Sequence, residues 1–338
     1  MTSASLPLSV LDLSPISSGM TAHDALENTV DLAKHAESLG LTRYWLAEHH
    51  NAGSLASSAP EIMIAQVASV TKSIRVGSGG MMLPNHAPLK VAELFRVLHA
   101  LFPDRIDLGL GRAAGTDPRT ALALRRAAQH ASADDFPEQF SALVGFLEEG
   151  DAPRSAFARS TRAIPVGVPC PALWMLGSSD YGAAFAAAHG LPFAFAHHIN
   201  PADAVTTMKR YRADFRPSKY TSKPQSILAV AAACADDEDA ARAIGAGAHL
   251  AALRFSLGLR DFPYPSPEEA EGHAWSEEDR ALAISFGART FVGHVRDVAP
   301  RIRALAAECE ADEIMVMTHV HDHDMRKKSY TLLRDALA

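Results

Sequence analysis

Short apolar runs alternate with longer amphipathic stretches along almost the whole chain. Eight runs rich in aliphatic and aromatic residues are typical of buried strands, and glycine, proline or polar residues bound each of them. They are residues 8–13, 44–47, a run that starts at residue 74, and residues 105–112, 173–176, 193–196, 227–234 and 313–317. Helical spacing of apolar residues fills most of the intervals. Strands that alternate with helices predict a parallel sheet with right-handed crossovers.

Eight such units in 338 residues fit an α/β fold of the (β/α)8 TIM-barrel type with insertions. An open, doubly wound sheet is the alternative. No Gly-x-Gly-x-x-Gly turn follows the first strand, and the sequence has no Walker loop, which counts against nucleotide folds of that kind. We therefore expect one barrel domain over residues 1–338.

Several helix boundaries follow from local sequence. Residues 21–24 (Thr-Ala-His-Asp) and 58–61 (Ser-Ala-Pro-Glu) resemble capping boxes. A helical region is expected over residues 121–147. Residues 261–279 are rich in proline and acid, and they predict an exposed excursion, mobile over about residues 255–285.

Composition narrows the classes of partner. The net charge of −7 argues against nucleic acid as the main partner. No apolar run approaches the length that spans a membrane, and the first residues lack the pattern of a secretory signal. Cys170, Cys234 and Cys309 are far apart, which is typical of buried thiols in a reducing cytosol. We expect a cytoplasmic protein.

Polar, small and imidazole-bearing residues recur where the predicted strands end. In a TIM barrel these ends meet at one face, and functional residues gather there. The ends read Asp12-Leu-Ser14, Glu48-His49-His50, Gly77-Ser78-Gly79-Gly80, Gly111-Arg112, Gly177-Ser178-Ser179 and His197-His198. This recurrence predicts a site at the carboxyl face of the barrel.

Three of these ends favour an organic cofactor with a phosphate. The glycines after Val76 weaken a strand unless the backbone bends or a ligand lies close to it, and a β-bulge is the alternative explanation. Arg112 suits a bidentate clamp on a phosphate, the alternative being a free surface arginine. Residues 177–179 precede a helix, so their N–H groups and hydroxyls suit an anion, although ordinary N-capping by serine explains them as well.

Histidine-rich segments raise the possibility of a metal site. Glu48, His49 and His50 are residue types that bind metals, but neighbours on an extended chain point to opposite faces. His319, His321 and His323 alternate and would share a face, but such a segment before a basic helix is more often a solvated loop. A metal centre is therefore less favoured than an organic cofactor.

The motifs taken together resemble the bacterial-luciferase-like flavin monooxygenases. The resemblance rests on Tyr-Trp-x-x-Glu-His-His at 44–50, Ile-Arg-Val-Gly-Ser-Gly-Gly-Met-Met-Leu-Pro at 74–84, Arg-Ile-Asp-Leu-Gly-Leu-Gly-Arg at 105–112 and Leu-Gly-Ser-Ser at 176–179. It implies a TIM barrel that binds reduced FMN, supplied by a separate flavin reductase, and uses it with O2 to oxidise a small organic substrate.

The resemblance also assigns residues. His49 matches the active-site histidine of the family, and we expect His49 and the adjacent Glu48 to be the catalytic residues. Gly79-Gly80 matches a position that often carries a cis peptide under the flavin. The resemblance places Gly79, Gly80, Arg112, Ser178 and Ser179 at the cofactor. The neighbouring strand-end residues Ser78, Gly111 and Gly177 complete the predicted cofactor-binding set. Luciferase has a reactive cysteine where this chain has Gly111, and a glutamate in the phosphate loop where this chain has glycine or serine, so light emission is not expected.

Three other functions stay open at this point. One is a deazaflavin-dependent oxidoreductase on the same fold, another is a flavin-binding protein without turnover, and the third is a metal-dependent hydrolase. The helices over residues 59–70 and 89–101 carry more apolar and alanine positions than one barrel-facing stripe requires. Family members commonly dimerise through this side, so the resemblance implies a homodimer.

Overall fold

A computed structural model of the protein describes residues 6–124, 135–148 and 161–337. Within these ranges lie nine strands and twelve α-helices. The strands are β1 Leu8–Asp12, β2 Arg43–Leu46, β3 Arg75–Met82, β4 Ile106–Gly111, β5 Ala172–Gly177, β6 Phe193–Ala196, β7 Ser226–Ala235, β8 Thr290–His294 and β9 Glu313–Met317. The helices are α1 Ala22–Ser38, α2 Pro60–Val70, α3 Pro88–Leu101, α4 Pro118–Leu124, α5 Phe136–Leu147, α6 Asp180–His189, α7 Ala204–Asp214, α8 Glu238–Ser256, α9 Pro267–Gly272, α10 Glu277–Gly287, α11 Val295–Glu308 and α12 His323–Leu337.

Eight of the strands close into a parallel barrel. β1 to β7 pair in sequence order, β7 pairs with β9, and β9 pairs with β1. The predicted (β/α)8 TIM barrel is confirmed. β8 was not predicted as a strand: it extends the sheet outside the ring by pairing with Ala231–Ala235 of β7. Its partner lies more than fifty residues earlier in the chain, so no local pattern signals the pairing.

Strand alternation divides the apolar residues into an inner and an outer core. Successive side chains of a strand point to opposite faces, so one set fills the barrel and the other packs under the helices. The inner set is Leu11, Leu13, Trp45, Ala47, Trp174, Ala194, Ile227, Ala229 and Met315. Trp45 and Trp174 meet edge to face there, with ring centroids 5.4 Å apart. The outer core is larger and includes Val10, Tyr44 and Leu46.

Charged side chains close the barrel at the amino ends of the strands. Arg43 Nε donates to Glu313 at 2.8 Å and its Nη1 donates to Asp107 at 2.8 Å. Its guanidinium lies 4.7 Å from the centre of the Trp174 ring. A cavity of about 330 Å³ opens at this end, but its two arginines are already paired, Arg43 with Glu313 and Arg212 with Asp312.

Two helix starts and one connection test the local predictions. The Thr21 capping box of α1 is present in full. The box predicted at residues 58–61 is wrong, because α2 begins at Pro60 after Ala59, which makes no side-chain capping bond. Helix α4 ends at Leu124 and α5 begins at Phe136, and the part of the predicted 121–147 helix between them lies outside the described residues.

The predicted excursion contains two short helices, α9 and α10, which pack on α8 through Leu250, Leu253, Ala270 and Ala283. The segment before α9 is tied to neighbouring loops, since Ser54 N donates to Arg260 O and Tyr264 N donates to Ile16 O. Its mobility stays a prediction. Over the described part of the chain, no helix combines the length and apolar character that a membrane crossing requires.

Candidate active site

A cavity of about 240 Å³ lies at the carboxyl ends of the barrel strands. Most of the residues that the sequence singles out meet there, namely His49, Gly79, Gly80, Gly111, Arg112, Gly177, Ser178 and Ser179. Much of the remaining wall is apolar and includes Leu11, Trp45, Leu176, Ala194, Ala229 and Met315. Glu48 and Ser78 do not line the cavity, and both are fully buried behind its wall.

The end of β3 forms a wall without side chains. The Gly79–Gly80 peptide is cis, as the resemblance implied. A Cβ on Gly79 would lie 2.7 Å from Leu11 Cδ1, and one on Gly80 would lie 3.0 Å from Gly109 O. The register between β3 and β4 shifts between Ser78 and Met81, so the bulge considered as an alternative is present too. The result is a backbone surface that a flat ligand can approach closely.

Ser78 joins the two strands across this irregularity. Its hydroxyl donates to Gly109 O at 2.8 Å and accepts from Gly109 N at 3.1 Å. These bonds use the hydroxyl within the sheet, so its contacts in the structure hold the glycine wall in place from behind.

Glu48 organises the loop between β3 and α3. Its carboxylate accepts hydrogen bonds from Met82 N at 2.7 Å, Asn85 Nδ2 at 3.1 Å, His50 Nε2 at 2.9 Å and His86 Nε2 at 2.9 Å. Burial by itself would raise the pKa of Glu48, but the bonds from His86, His50 and Met82 outweigh it, and the pKa is lowered. Glu48 is therefore an ionised anchor whose donors hold Met82 at the cavity wall.

His49 faces the cavity because Trp45, Ala47 and His49 share the inner side of β2 and its extension. Its Nδ1 lies 3.4 Å from Gly115 O, a long contact. A carbonyl oxygen accepts, so this contact assigns the proton to Nδ1 and leaves Nε2 with a lone pair. Burial lowers the pKa of His49. The imidazole is therefore neutral near pH 7 and suited to accepting a proton.

Arg112 lies beside the start of α6. Its guanidinium carbon is 3.8 Å from the centre of the Tyr181 ring, in the first turn of that helix. Across the residues that the structure describes, no carboxylate pairs with Arg112. Ser179 is the N-cap of α6, but its side chain makes no capping bond. A half-buried, unpaired guanidinium and an uncapped helix start thus face one cavity, a donor set that suits a phosphate.

Two glycines bring this helix start close to the barrel. A Cβ on Gly177 would lie 3.4 Å from Gly182 Cα, so the end of β5 and the first turn of α6 touch through their backbones. Asn200 Nδ2 holds the intervening loop by donating to Ser178 O at 2.9 Å. The hydroxyls of Ser178 and Ser179 are therefore presented at the cavity by a fixed turn.

Two further histidines belong to this face: the sequence placed His198 among the polar strand ends and offered His319 as a possible metal ligand, but gave neither a role toward the cofactor. His198 lines the cavity, and burial lowers its pKa to about 4. His319 lies beyond the end of β9, with its Nε2 buried and without a hydrogen-bond partner, and burial lowers its pKa to about 4. The signal for His198 was its position directly after a predicted strand, since it lies in the turn that follows the end of β6 at Ala196.

The other histidines of the 319–323 segment are engaged elsewhere. His321 Nε2 bonds to Ser18 O at 2.9 Å, and His323 Nε2 bonds to Asp31 at 2.9 Å. Within residues 6–124, 135–148 and 161–337, no group of three or more His, Cys, Asp or Glu is arranged to hold a metal ion.

Comparison with known proteins identifies the family. The chain matches the luciferase-like monooxygenase family profile over residues 6–312. It is 38% identical to a luciferase-like monooxygenase of Escherichia coli K12 over 99% of this chain and 98% of the relative. It is 32% identical to an N-acetyl-S-alkylcysteine monooxygenase of Bacillus subtilis over 98% of each. The solved structure of apo-MsnO8 superposes with a TM-score of 0.89 at 37% identity, covering 98% of each chain.

Two more distant structures share the fold alone. The oxygenating constituent of 3,6-diketocamphane monooxygenase from Pseudomonas putida, solved with FMN, has a TM-score of 0.71 at 18% identity over 98% of each chain. An F420-dependent secondary alcohol dehydrogenase has a TM-score of 0.65 at 13% identity over 99% of each chain. The profile match and the relatives above 30% identity confirm the resemblance read from the motifs. The chain therefore belongs to the luciferase-like monooxygenase family of enzymes.

Proposed function

We propose that this protein is an FMN-dependent, two-component monooxygenase that uses reduced flavin and O2 to oxidise a small organic substrate. A separate flavin reductase would supply the reduced FMN. The observation that carries the proposal is the donor set around Arg112. A guanidinium that pairs with no carboxylate of the described residues and a helix start whose N-cap side chain makes no capping bond lie at one part of a cavity whose remaining wall is mainly apolar and glycine.

The residues present suit FMN in both of its parts. Arg112, the hydroxyls of Ser178 and Ser179 and the N–H groups at the start of α6 would hold the phosphate. The side-chain-free surface at Gly79 and Gly80 would lie against the ring system, with Trp45 and Leu11 filling the space behind Gly79. Bound reduced flavin supplies the electrons that activate O2. The apolar walls exclude water, and the neutral imidazole of His49 can accept or return a proton at Nε2.

A deazaflavin-dependent oxidoreductase is the second candidate, since one protein of this fold is solved with an F420 adduct. The Escherichia coli and Bacillus subtilis relatives at 38% and 32% identity favour oxygen chemistry instead, because they carry monooxygenase names. The F420 enzyme, at 13% identity, shares the fold alone. We therefore rank FMN first.

We also propose a homodimer, built through α2 and α3. Large apolar side chains are exposed on these neighbouring helices, with Ile62 at 66%, Leu101 at 62% and Val97 at 47% exposure. Burying them against a second copy would remove apolar surface from water. A cytoplasmic location and a single domain over residues 1–338 stay predictions.

An oxygen electrode tests the proposed activity. Reduced FMN is mixed with the protein and with candidate organic compounds, and oxygen uptake is compared with peroxide formed. The proposal expects a compound for which oxygen uptake exceeds peroxide formation and an oxidised product accumulates. Reduction of a compound by reduced F420 under argon, with no oxygen-dependent product from reduced FMN, would favour the second candidate instead.

A further inference from the structure

The end of β6 and the turn that follows it present side chains to two different environments. Ala194, Ala196 and His198 line the cavity. His197 takes the opposite side, where its ring lies 5.6 Å from that of Phe291 and is stacked on it. These two adjacent imidazoles lie in the turn that follows β6, and they have different environments.

The orientation of the His198 ring is set by the backbone of β7. Its Nδ1 lies 3.2 Å from Ala229 O. A carbonyl oxygen only accepts, so Nδ1 carries the proton and Nε2 is left as an acceptor. Within the described residues, no protein group donates to this Nε2. It is also not one of the buried side-chain atoms that lack a hydrogen-bond partner, so it is accessible from the cavity. The ring therefore presents a lone pair at the cavity.

The cavity wall on this side is mainly small and apolar, and the two imidazoles whose charges act on His198 across the barrel mouth are His49 and His319, both with a lowered pKa. Ala194, Ala196 and Ala229 lie along the strands of this wall, with Met315 on a nearby strand. Among the described residues that line the cavity, Arg112 alone is a lysine, arginine, aspartate or glutamate. An acceptor in apolar surroundings loses free energy if no donor reaches it. A ligand that fills this space should therefore be uncharged, largely apolar and able to donate one hydrogen bond.

We propose that His198 determines substrate specificity, its Nε2 accepting a hydrogen bond from a hydroxyl or N–H group of a neutral, largely apolar substrate. This inference rests on the proposed function, because the substrate would share the cavity with the flavin. His49, which follows β2 on the opposite side of the barrel ring, remains free to exchange a proton with the reacting group. His198 is a positioning residue that selects the ligand by its donor.

Reduced flavin also carries N–H groups, so the experiment separates the two possible donors. The probes are 4-methylphenol and 4-methylanisole, which differ by an O–H in place of an O–CH3. Their affinities are measured by ligand-observed NMR titration on FMN-loaded and FMN-free protein, and FMN affinity is measured separately. The quantity compared is the ratio of phenol affinity to ether affinity, because the ratio cancels general losses of binding.

The variant His198→Phe keeps an aromatic ring and removes the acceptor. The proposal expects its phenol-to-ether ratio to fall by about 2- to 12-fold, the effect of one neutral hydrogen bond of roughly 0.5–1.5 kcal/mol, with FMN affinity unchanged. His197→Phe is the matched control one residue away, and its ratio should stay at the wild-type value. His198→Gln, which restores an acceptor oxygen, should recover part of the ratio and covers the case in which the phenylalanine variant fails to fold.

Three results would overturn the proposal. The ratio in His198→Phe could equal that of the wild type, FMN affinity could fall while the ratio holds, or the phenol could bind the wild-type protein no better than the ether or not at all. The second result would assign the donor to the flavin. If FMN fails to bind the wild type but the ratio still falls on the FMN-free protein, the flavin proposal fails and the role of His198 stands.

Discussion

Replacing Arg112 with alanine should separate the binding free energy of the FMN phosphate from that of the flavin ring. No carboxylate among the described residues pairs with this guanidinium, so its removal leaves no buried acid without a partner. The substitution should therefore weaken the binding of an anionic ligand and leave the stability of the fold largely unchanged. A hydrogen bond to a charged group contributes about 1.5–3 kcal/mol, and half-burial favours the lower end, about 1.5–2 kcal/mol. FMN should therefore bind about 12- to 30-fold more weakly.

Riboflavin, which lacks the phosphate, provides the comparison. Quenching of flavin fluorescence gives both affinities. The Arg112 guanidinium stacks on Tyr181 of the protein, so we expect it to make no contact with the flavin ring. Arg112→Ala should therefore change riboflavin affinity by less than about twofold. Arg119→Ala is the charge-matched control, because Arg119 is exposed on α4 and does not line the cavity. Equal weakening of FMN and riboflavin by Arg112→Ala would refute the phosphate assignment.

Three other substitutions test different parts of the structure. His49→Ala should keep the wild-type melting temperature and FMN affinity, while substrate oxidation falls by roughly 10²–10⁴ and the consumed oxygen appears as peroxide. If melting temperature and FMN affinity fall together and the ratio of product to consumed oxygen is unchanged, His49 is structural. Burial would raise the pKa of Asp12, but Arg326 and Tyr44 hold it at about 2. The carboxylate therefore stabilises the fold by roughly 2 kcal/mol above about pH 4, and this contribution is lost as the pH falls toward 2. In urea titrations the deficit of Asp12→Asn should therefore be largest near neutral pH and shrink with acid, and a deficit independent of pH would contradict the pairing. Ile62→Lys should turn a dimer into a monomer in sedimentation, whereas Ile284→Lys, equally exposed on α10, should not; a monomeric wild type at micromolar concentration would exclude this interface.

The sequence was sufficient for features that depend on strand order. Parallel strands bring their carboxyl ends to one face, so His49, Gly79, Arg112 and Ser178 could be assigned to one cavity before any distance was known. The barrel itself followed from the same alternation of strands and helices.

Features that depend on tertiary partners were not predictable in the same way. The donors to Glu48 include Asn85 and His86, more than thirty residues away. No local sequence pattern therefore shows that Glu48 anchors the loop between β3 and α3. The strand β8 exists because β7 continues past the barrel to offer an edge. His198 differs: its place at the carboxyl face follows from its position just after β6, but recognising it as a free acceptor required the contact to Ala229.

The central claim, that the cavity binds reduced FMN for reaction with oxygen, is tested most directly by stopped-flow reoxidation of reduced FMN with and without the protein. No substrate is needed. The account predicts that saturating wild-type protein gives a reoxidation time course different from that of free reduced FMN, and that Arg112→Ala at the same concentration shifts it back toward the free-flavin course. Superimposable traces for free reduced FMN and for reduced FMN with excess wild-type protein would contradict the claim.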